Sequence, residues 1–252
     1  MAPRKAGKIF VGVGGWNFAP WRGSYYPKGL TQAKELQYSS RKLTSIEINS
    51  TFYGLQKPAT FQKWHDETPD GFVFSVKAPR FVTLRKTLAE SASSVERFLE
   101  SGVLRLGAKL GPINWQLAPG KRFDADELSA FLALLPRTLE GRALRHALEV
   151  RDASFDCEEF VALMRNHQVA VVEAGDSDYP RIQGRTAPFS YLRVMGTKPS
   201  APKGYAPAAL ARWREHAQTL ARDGDVFFYF ISGAKERNPQ AAMALLEGLD
   251  PR

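Results

Sequence analysis

Cysteine is nearly absent from this chain. One residue of 252, Cys157, carries a thiol, so no disulfide can form within the chain; that fits a reducing compartment. Histidine is scarce as well. The four, His65, His146, His167 and His216, are scattered and do not form the pattern of a multi-histidine zinc cluster. No stretch approaches the roughly 18 apolar residues of a membrane-spanning helix. The opening MAPRKAGK is basic and polar, with no signal-peptide-like apolar run behind it. A cytoplasmic protein without membrane attachment is expected, with residues 1–7 a flexible basic leader. The patterns GxSxG and GxxxxGK[ST] are missing, and GVGG stands where a dinucleotide-binding fold would carry GxGxxG. Without a linker, a low-complexity tract or a repeat of about 20–50 residues, residues 8–250 read as a single domain.

Charge is abundant but dispersed. The net charge is +9, yet no block of five like charges occurs. A basic balance suits polyanions and phosphorylated ligands; it equally suits solubility through excess arginine. Hydrophobic residues make up 44%, enough for a large core without staples.

Eight strand-like runs can be counted: Lys8–Gly14, Ser45–Phe52, Phe72–Lys77, Leu106–Leu110, Ala147–Asp152, Val169–Ala174, Ser190–Met195 and Asp225–Ile231. Most are short and bounded by Gly, Pro, Asp or Asn. Helical patterns fall between them, over Gln32–Leu43, Ala92–Ser101, Ala125–Leu135, Cys157–Asn166, Pro207–Arg222 and Pro239–Leu249. Asp156 followed by Glu159 resembles a capping box, and Asn238 before Pro239 a cap with proline in the first turn. Repeated strand–helix alternation implies right-handed crossovers and a parallel sheet. Eight units in this length match an α/β fold of (β/α)8 TIM-barrel type; an open doubly wound sheet is the rival.

Period two sorts the strand residues by face. Ile46 and Ile48 oppose Glu47, Asn49 and Thr51; Phe74 and Val76 oppose Ser75 and Lys77; Leu148 and Val150 oppose Glu149 and Arg151; Leu192 and Val194 oppose Tyr191 and Arg193. Charges inside apolar runs are costly unless something satisfies or uses them. Glu47, Lys77, Glu149, Arg151, Glu173 and Arg193 are therefore expected to converge inside the barrel near its C-terminal end, where barrel enzymes keep their active sites. A closed ion-pair network with no ligand fits the same residues. As a catalytic set, Glu149, Glu47 and Lys77 would do acid–base work beside cations that tune their pKa. Lys77 could alternatively form a Schiff base.

Two further segments point to binding. The segment WNFAPWRGSYYP groups Trp16, Phe18, Trp21, Tyr25 and Tyr26 around Arg22, which suits stacking on a ligand or a loop closed on its own aromatics. The segment Ser232–Asn238 carries Lys235 and Arg237 into a helix start, a place for a phosphate or an ordinary solvated loop. No cofactor is evident; a Mg2+ or Mn2+ on Glu47, Glu149, Glu173 or Asp176 stays open.

The blocks GWNFAPWRGSYYP, IEINSTFYGLQKPATFQKWHDETPDGFVFSVKAPR, LGAKLGPINWQL, ALEVRDASF and YLRVMG together resemble the YecE-like family, also called domain-of-unknown-function 72, from about Ile9 to Leu249. The resemblance implies a (β/α)8 barrel. Its pattern carries over to Trp16, Trp21, Glu47, Asn49, Thr51, Phe52, Tyr53, Trp64, Lys77, Gln116, Glu149, Arg151 and Arg193. The chain departs from it at Leu84, where many relatives have histidine. Met195-Gly196 replaces the frequent His-Gly, and Ile231-Ser232 the frequent paired asparagines. The family's barrel resembles those of metal-dependent phosphodiester-cleaving endonucleases and sugar isomerases, an analogy of fold.

Two functions follow as expectations. One is an enzyme, a hydrolase of phosphodiester or phosphorylated substrates, with Glu149 as acid–base and Arg151 and Arg193 clamping anionic oxygens. The other is a non-catalytic binder of nucleic acid or a phosphorylated metabolite. In either, Asn49, Tyr53, Trp16, Trp21, Gln116 and Lys235 would contact the ligand. A carbohydrate-active enzyme fits less well, because a carboxylate pair flanking the scissile bond is not evident. Nothing in the sequence fixes the oligomeric state.

Overall fold

The computed structural model describes residues 6–249. Most of the expected basic leader, residues 1–5, lies outside the described residues. At Gly7 the chain is already tied down, its N–H donating to Ala221 O (2.7 Å).

The strands are β1 (Ile9–Gly14), β2 (Ser45–Ile48), β3 (Val73–Lys77), β4 (Leu110–Gln116), β5 (Thr138–Leu139), β6 (Arg142–Ala143), β7 (His146–Glu149), β8 (Ala170–Glu173), β9 (Phe189–Val194) and β10 (Asp225–Phe230). Strands β5 and β6 form a small antiparallel hairpin, which the sequence did not announce. The other eight close into a barrel in the order β1-β10-β9-β8-β7-β4-β3-β2, and all their pairings are parallel. The open-sheet alternative is thereby set aside.

The α-helices are α1 (Glu35–Ser39), α2 (Ser50–Tyr53), α3 (Pro58–Glu67), α4 (Arg80–Thr83), α5 (Ala92–Leu99), α6 (Ala125–Ala133), α7 (Glu158–His167), α8 (Pro207–Ala221) and α9 (Asn238–Leu246). No helix stands between β8 and β9 among the described residues; the loop 174–188 makes that crossover. Two expected caps differ from the structure. Cys157, not Asp156, is the N-cap of α7, without a side-chain bond. Asn238 lies inside α9 behind the N-cap Arg237, and its amide is used to hold Thr197 and Ser232.

The alternation in the strands divides the core. Outward residues such as Ile46, Phe74, Trp115, Leu148, Val194 and Phe228 are buried against the helices. Inward residues fill the barrel: Phe10, Val73, Phe189 and Phe227 toward its N-terminal end, then Ala147, Tyr191 and Tyr229. Each large apolar side chain so buried contributes about 1.5–3 kcal/mol. The tyrosine hydroxyls need partners inside and have them: Tyr229 shares a hydrogen bond with Ser45 Oγ and Tyr191 with Ser75 Oγ, both at 2.7 Å. This polar layer is the floor of the site above it.

Candidate functional site

One step further along the strands, the inward positions become charged. Glu47 on β2, Lys77 on β3, Asn114 and Gln116 on β4, Glu149 on β7 and Arg193 on β9 are all buried at the barrel mouth. Arg193 is the hub. Its Nη2 donates to Glu47 Oε1 (2.9 Å). Its Nη1 donates to Glu149 Oε2 and to Gln116 Oε1, the latter at 3.3 Å. Glu47 Oε2 also accepts from Tyr191 OH (2.6 Å) and Asn114 Nδ2 (3.4 Å). Arg151, just past β7, grips Glu149 Oε1 through Nε (2.9 Å) and Nη2 (2.8 Å). Its own position is set by Tyr179, whose hydroxyl accepts from Nη1 (3.1 Å) and whose ring lies 4.4 Å from the guanidinium. Tyr179 comes from the polar loop after β8, and no sequence signal singled it out.

These contacts set the protonation states. Burial alone would raise the Glu149 carboxyl, but Arg193 and Arg151 together outweigh it and hold the group below the ordinary carboxylate range. Burial would likewise depress Arg193, and Glu149 and Glu47 outweigh it in the other direction. Tyr191 is pushed well up, by burial first and by Glu47 next. The Glu149 carboxylate and the Arg193 guanidinium are thus both held in their charged forms.

Lys77 is different. It is 8% exposed, forms no ion pair and no side-chain hydrogen bond among the described residues, and holds its ammonium 4.0 Å from the Phe52 ring centre. Its backbone is pinned, with Thr51 Oγ1 donating to Lys77 O (2.7 Å). Burial and then Arg193 lower its pKa to about 8, against the opposing pull of Glu47 and Glu149. The mouth therefore gathers three cationic side chains, Lys77, Arg151 and Arg193, around two carboxylates, Glu47 and Glu149, with the surplus charge on Lys77.

Other residues expected at the site are spread more widely. Asn49 is at the mouth: a Cβ on Gly14 would sit 2.7 Å from its Nδ2, so the bare glycine makes its room. Tyr53 stands on the rim, 70% exposed, with the Arg80 guanidinium 5.7 Å from its ring centre. Trp16 packs on Trp64 and Phe74 against the outer wall of β3. Trp21, expected at the ligand, is instead fully buried among Phe18, Tyr25 and Tyr26, and its indole N–H donates to Lys235 O (2.9 Å). The aromatic loop is closed on itself. Lys235 lies over Phe18 at 4.3 Å, and the N–H groups of Ala234, Lys235 and Arg237 already donate to carbonyls of Thr197, Gly233 and Ala234. The expected phosphate cradle is thus occupied by its own backbone.

Glu173 corrects a second expectation. It faces out of the barrel, because Ala170 and Val172 take the inward positions of β8. There it pairs with His216 (2.8 Å) and Arg181 (2.8 Å), beside a cavity of about 330 Å3 between β8, β9 and α8. Asp176 accepts the N–H groups of Met195 (2.6 Å) and Gly196 (3.0 Å) and pins the loop after β9. Of the four carboxylates proposed for a metal, only Glu47 and Glu149 share the mouth, both held by Arg193, and among the described residues no three His, Cys, Asp or Glu side chains come together in a metal-binding group. Of the three positions where departures from the family pattern were expected, Ile231 just after β10 is buried and Met195 just after β9 packs on the same cluster, while Leu84 is exposed and apart from it.

Known proteins are similar to this chain in sequence and in fold. The YecE protein of Escherichia coli K12 is 28% identical over 147 residues, 58% of this chain and 50% of that protein. YunF of Bacillus subtilis is 35% identical over 75 residues, 30% of this chain and 26% of that protein. The chain thus matches half or less of the length of these curated relatives. A DUF72 family protein from Thermotoga maritima superposes with a TM-score of 0.78 at 21% identity, over 97% of this chain and all of that one, so the fold is shared end to end. The family model described as "Protein of unknown function DUF72" matches residues 10–252, and with nearly its whole barrel inside that match the chain belongs to the DUF72 family.

Proposed function

We propose that the protein binds a phosphorylated small molecule at the barrel mouth, in the shared positive field of Lys77, Arg151 and Arg193. The observation that carries this reading is Lys77 itself, a largely buried side chain whose ammonium no carboxylate pairs with. A partly desolvated charge without a partner is costly, and an incoming anion offsets that cost. The carboxylates are not free to do the same, since both are already engaged by Arg193. In this reading Glu149 serves as an ionised anchor for the two arginines. The apolar side chains of Ile231 and Met195 face the uncharged part of the ligand. A Mg2+ or Mn2+ would arrive with the ligand's phosphate, because the mouth surrounds its own two carboxylates with cations.

Nucleic acid is the second reading, favoured by Tyr53, exposed on the rim beside Arg80 in the manner of a base-stacking platform. One experiment separates the two. Inorganic phosphate and glucose 6-phosphate are titrated while the Lys77 side-chain amine is followed by NMR, with glucose as control. A saturable shift with the phosphorylated compounds, lost in Lys77→Met, is the expected result. Binding only of a labelled oligonucleotide, weakening linearly with log salt, would favour nucleic acid instead. No shift with either would remove the anion site.

A further inference from the structure

We propose that Lys77 is a nucleophilic amine that takes a phosphorylated aldehyde or ketone as a Schiff base at the barrel mouth, an inference that rests on the anion-binding reading above. Four features of the geometry support it. The side chain enters the barrel interior from the end of β3, and Arg193 reaches in from β9 on the opposite wall. Both carboxylates in reach are bound by guanidiniums, so neither ties the ammonium down. The Phe52 ring, its centre 4.0 Å from the nitrogen, places the amine at the mouth, although as a cation–π contact it favours the protonated form. The Thr51 hydroxyl bond to Lys77 O fixes the backbone from which the amine projects. A lysine desolvated and held in the field of another cation is the known recipe for an amine with a lowered pKa, and the Lys77 shift to about 8 agrees, giving a neutral fraction that grows with pH through that value.

The chemistry balances within the site. The neutral amine attacks the carbonyl carbon; the C–N bond forms and the oxygen takes the proton that the nitrogen gives up. The carbinolamine then loses its hydroxyl as water, with one proton drawn from solvent, and leaves a protonated imine. No oxidant or reductant is needed. The phosphate group answers the arginines, whose charge both depresses the lysine and draws the anion in. When the imine forms, the positive charge that Lys77 shed as an amine returns to the mouth, next to the bound phosphate.

The test is reductive trapping. The full-length protein is incubated with glyceraldehyde 3-phosphate or dihydroxyacetone phosphate, treated with sodium borohydride, and mapped by peptide mass. We expect one saturating adduct on the peptide containing Lys77. It should be lost in Lys77→Arg and suppressed by inorganic phosphate, and its yield in the wild type should rise with pH around 8. The pH profile needs no variant, so a Lys77→Arg protein that folds poorly leaves the test intact. If phosphate shifts the Lys77 amine but borohydride traps nothing beyond scattered surface lysines, the Schiff base is overturned while the anion site stands. If unphosphorylated glyceraldehyde labels Lys77 equally well and phosphate does not compete, the phosphorylated substrate class is overturned together with the anion reading.

Discussion

Arg193 holds two buried carboxylates at once, and its contribution can be read by removing it. Arg193→Met takes away the guanidinium that Glu47 and Glu149 share. Breaking a buried ionic network from one side costs about 3–5 kcal/mol, because the remaining charges stay buried without partners. Urea unfolding should report a loss of that order, with Arg193→Lys in between because it restores the charge but not the two-pronged geometry. A Met variant as stable as the wild type would contradict the network. Much of this site was legible from alternation alone. Glu47, Glu149 and Arg193 each sit between bulky apolar neighbours that can only face the helices, and Lys77 follows Phe74 and Val76 in the same phase, so their phase was fixed. Glu173 was not legible, because VAVVEA is apolar on both phases and gives period two nothing to sort. Trp21 and Lys235 failed for another reason. Aromatics beside a cation look the same in sequence whether they stack on a ligand or on each other, and here they do the latter.

At the scale of the elements, barrel closure depends on how closely β1 approaches β2. A Cβ added at Gly12 would lie 1.9 Å from Ser45 O, a backbone atom that cannot swing aside. Gly12→Ala must therefore push two paired strands apart beneath the site, at a cost of about 1–3 kcal/mol or more. Gly54→Ala, where an added Cβ meets nothing within 4 Å, should change stability by less than about 0.5 kcal/mol. Equal thermal shifts in the two variants would rule out this tight contact as a determinant of the fold. The strand most poorly anticipated was β4. The run Leu106–Leu110 reads as a strand, but Val103–Lys109 is a 3-10 segment and β4 begins only at Leu110. Gly111 and Pro112 follow directly on the end of that expected run. In the barrel they sit where the β3–β4 register shifts, between Phe74 and Val76, and Pro112 O accepts the Ser75 hydroxyl. Proline is tolerated in a sheet at such an irregularity because no ladder N–H is required there. The positions of β2, β3, β7 and β9 were clearer, since their apolar runs are not interrupted in this way.

For the whole molecule, buried titratable groups set the pH range in which the barrel is stable, and His146 governs its acid side. It is buried between β4 and the chain before β7, where Nδ1 accepts the Trp115 indole N–H (3.1 Å) and Nε2 faces Pro136 O (2.8 Å). That arrangement assigns the neutral ring with its proton on Nε2. A second proton on Nδ1 would confront the Trp115 donor. Burial, the main cause, lowers the pKa to about 4 against a small opposing pull from Pro136 O. The folded value lies below the unfolded one, so the unfolded chain binds the extra proton first. Stability from this group is complete above pH 6.5 and falls as the pH drops toward 4, by at most about 3 kcal/mol. Glu149 and Glu173, whose carboxyls are also held low, extend the loss below their ordinary range. Lys77 acts on the alkaline side: its folded pKa of about 8 is below the ordinary 10.5, so unfolding takes up a proton between these values and stability rises across that interval. Above pH 10 the buried tyrosines reverse the trend, because Tyr25, Tyr26, Tyr191 and Tyr229 ionise more readily once unfolded. Urea midpoints should therefore climb steeply from pH 4 to 6.5, rise gently from 8 to 10, and then fall. His146→Gln, whose amide can both accept from Trp115 and donate to Pro136, should flatten the first climb and leave the alkaline limb unchanged. An acid slope equally steep in that variant would show that the histidine is not its cause and leave the carboxylates of the barrel to account for it.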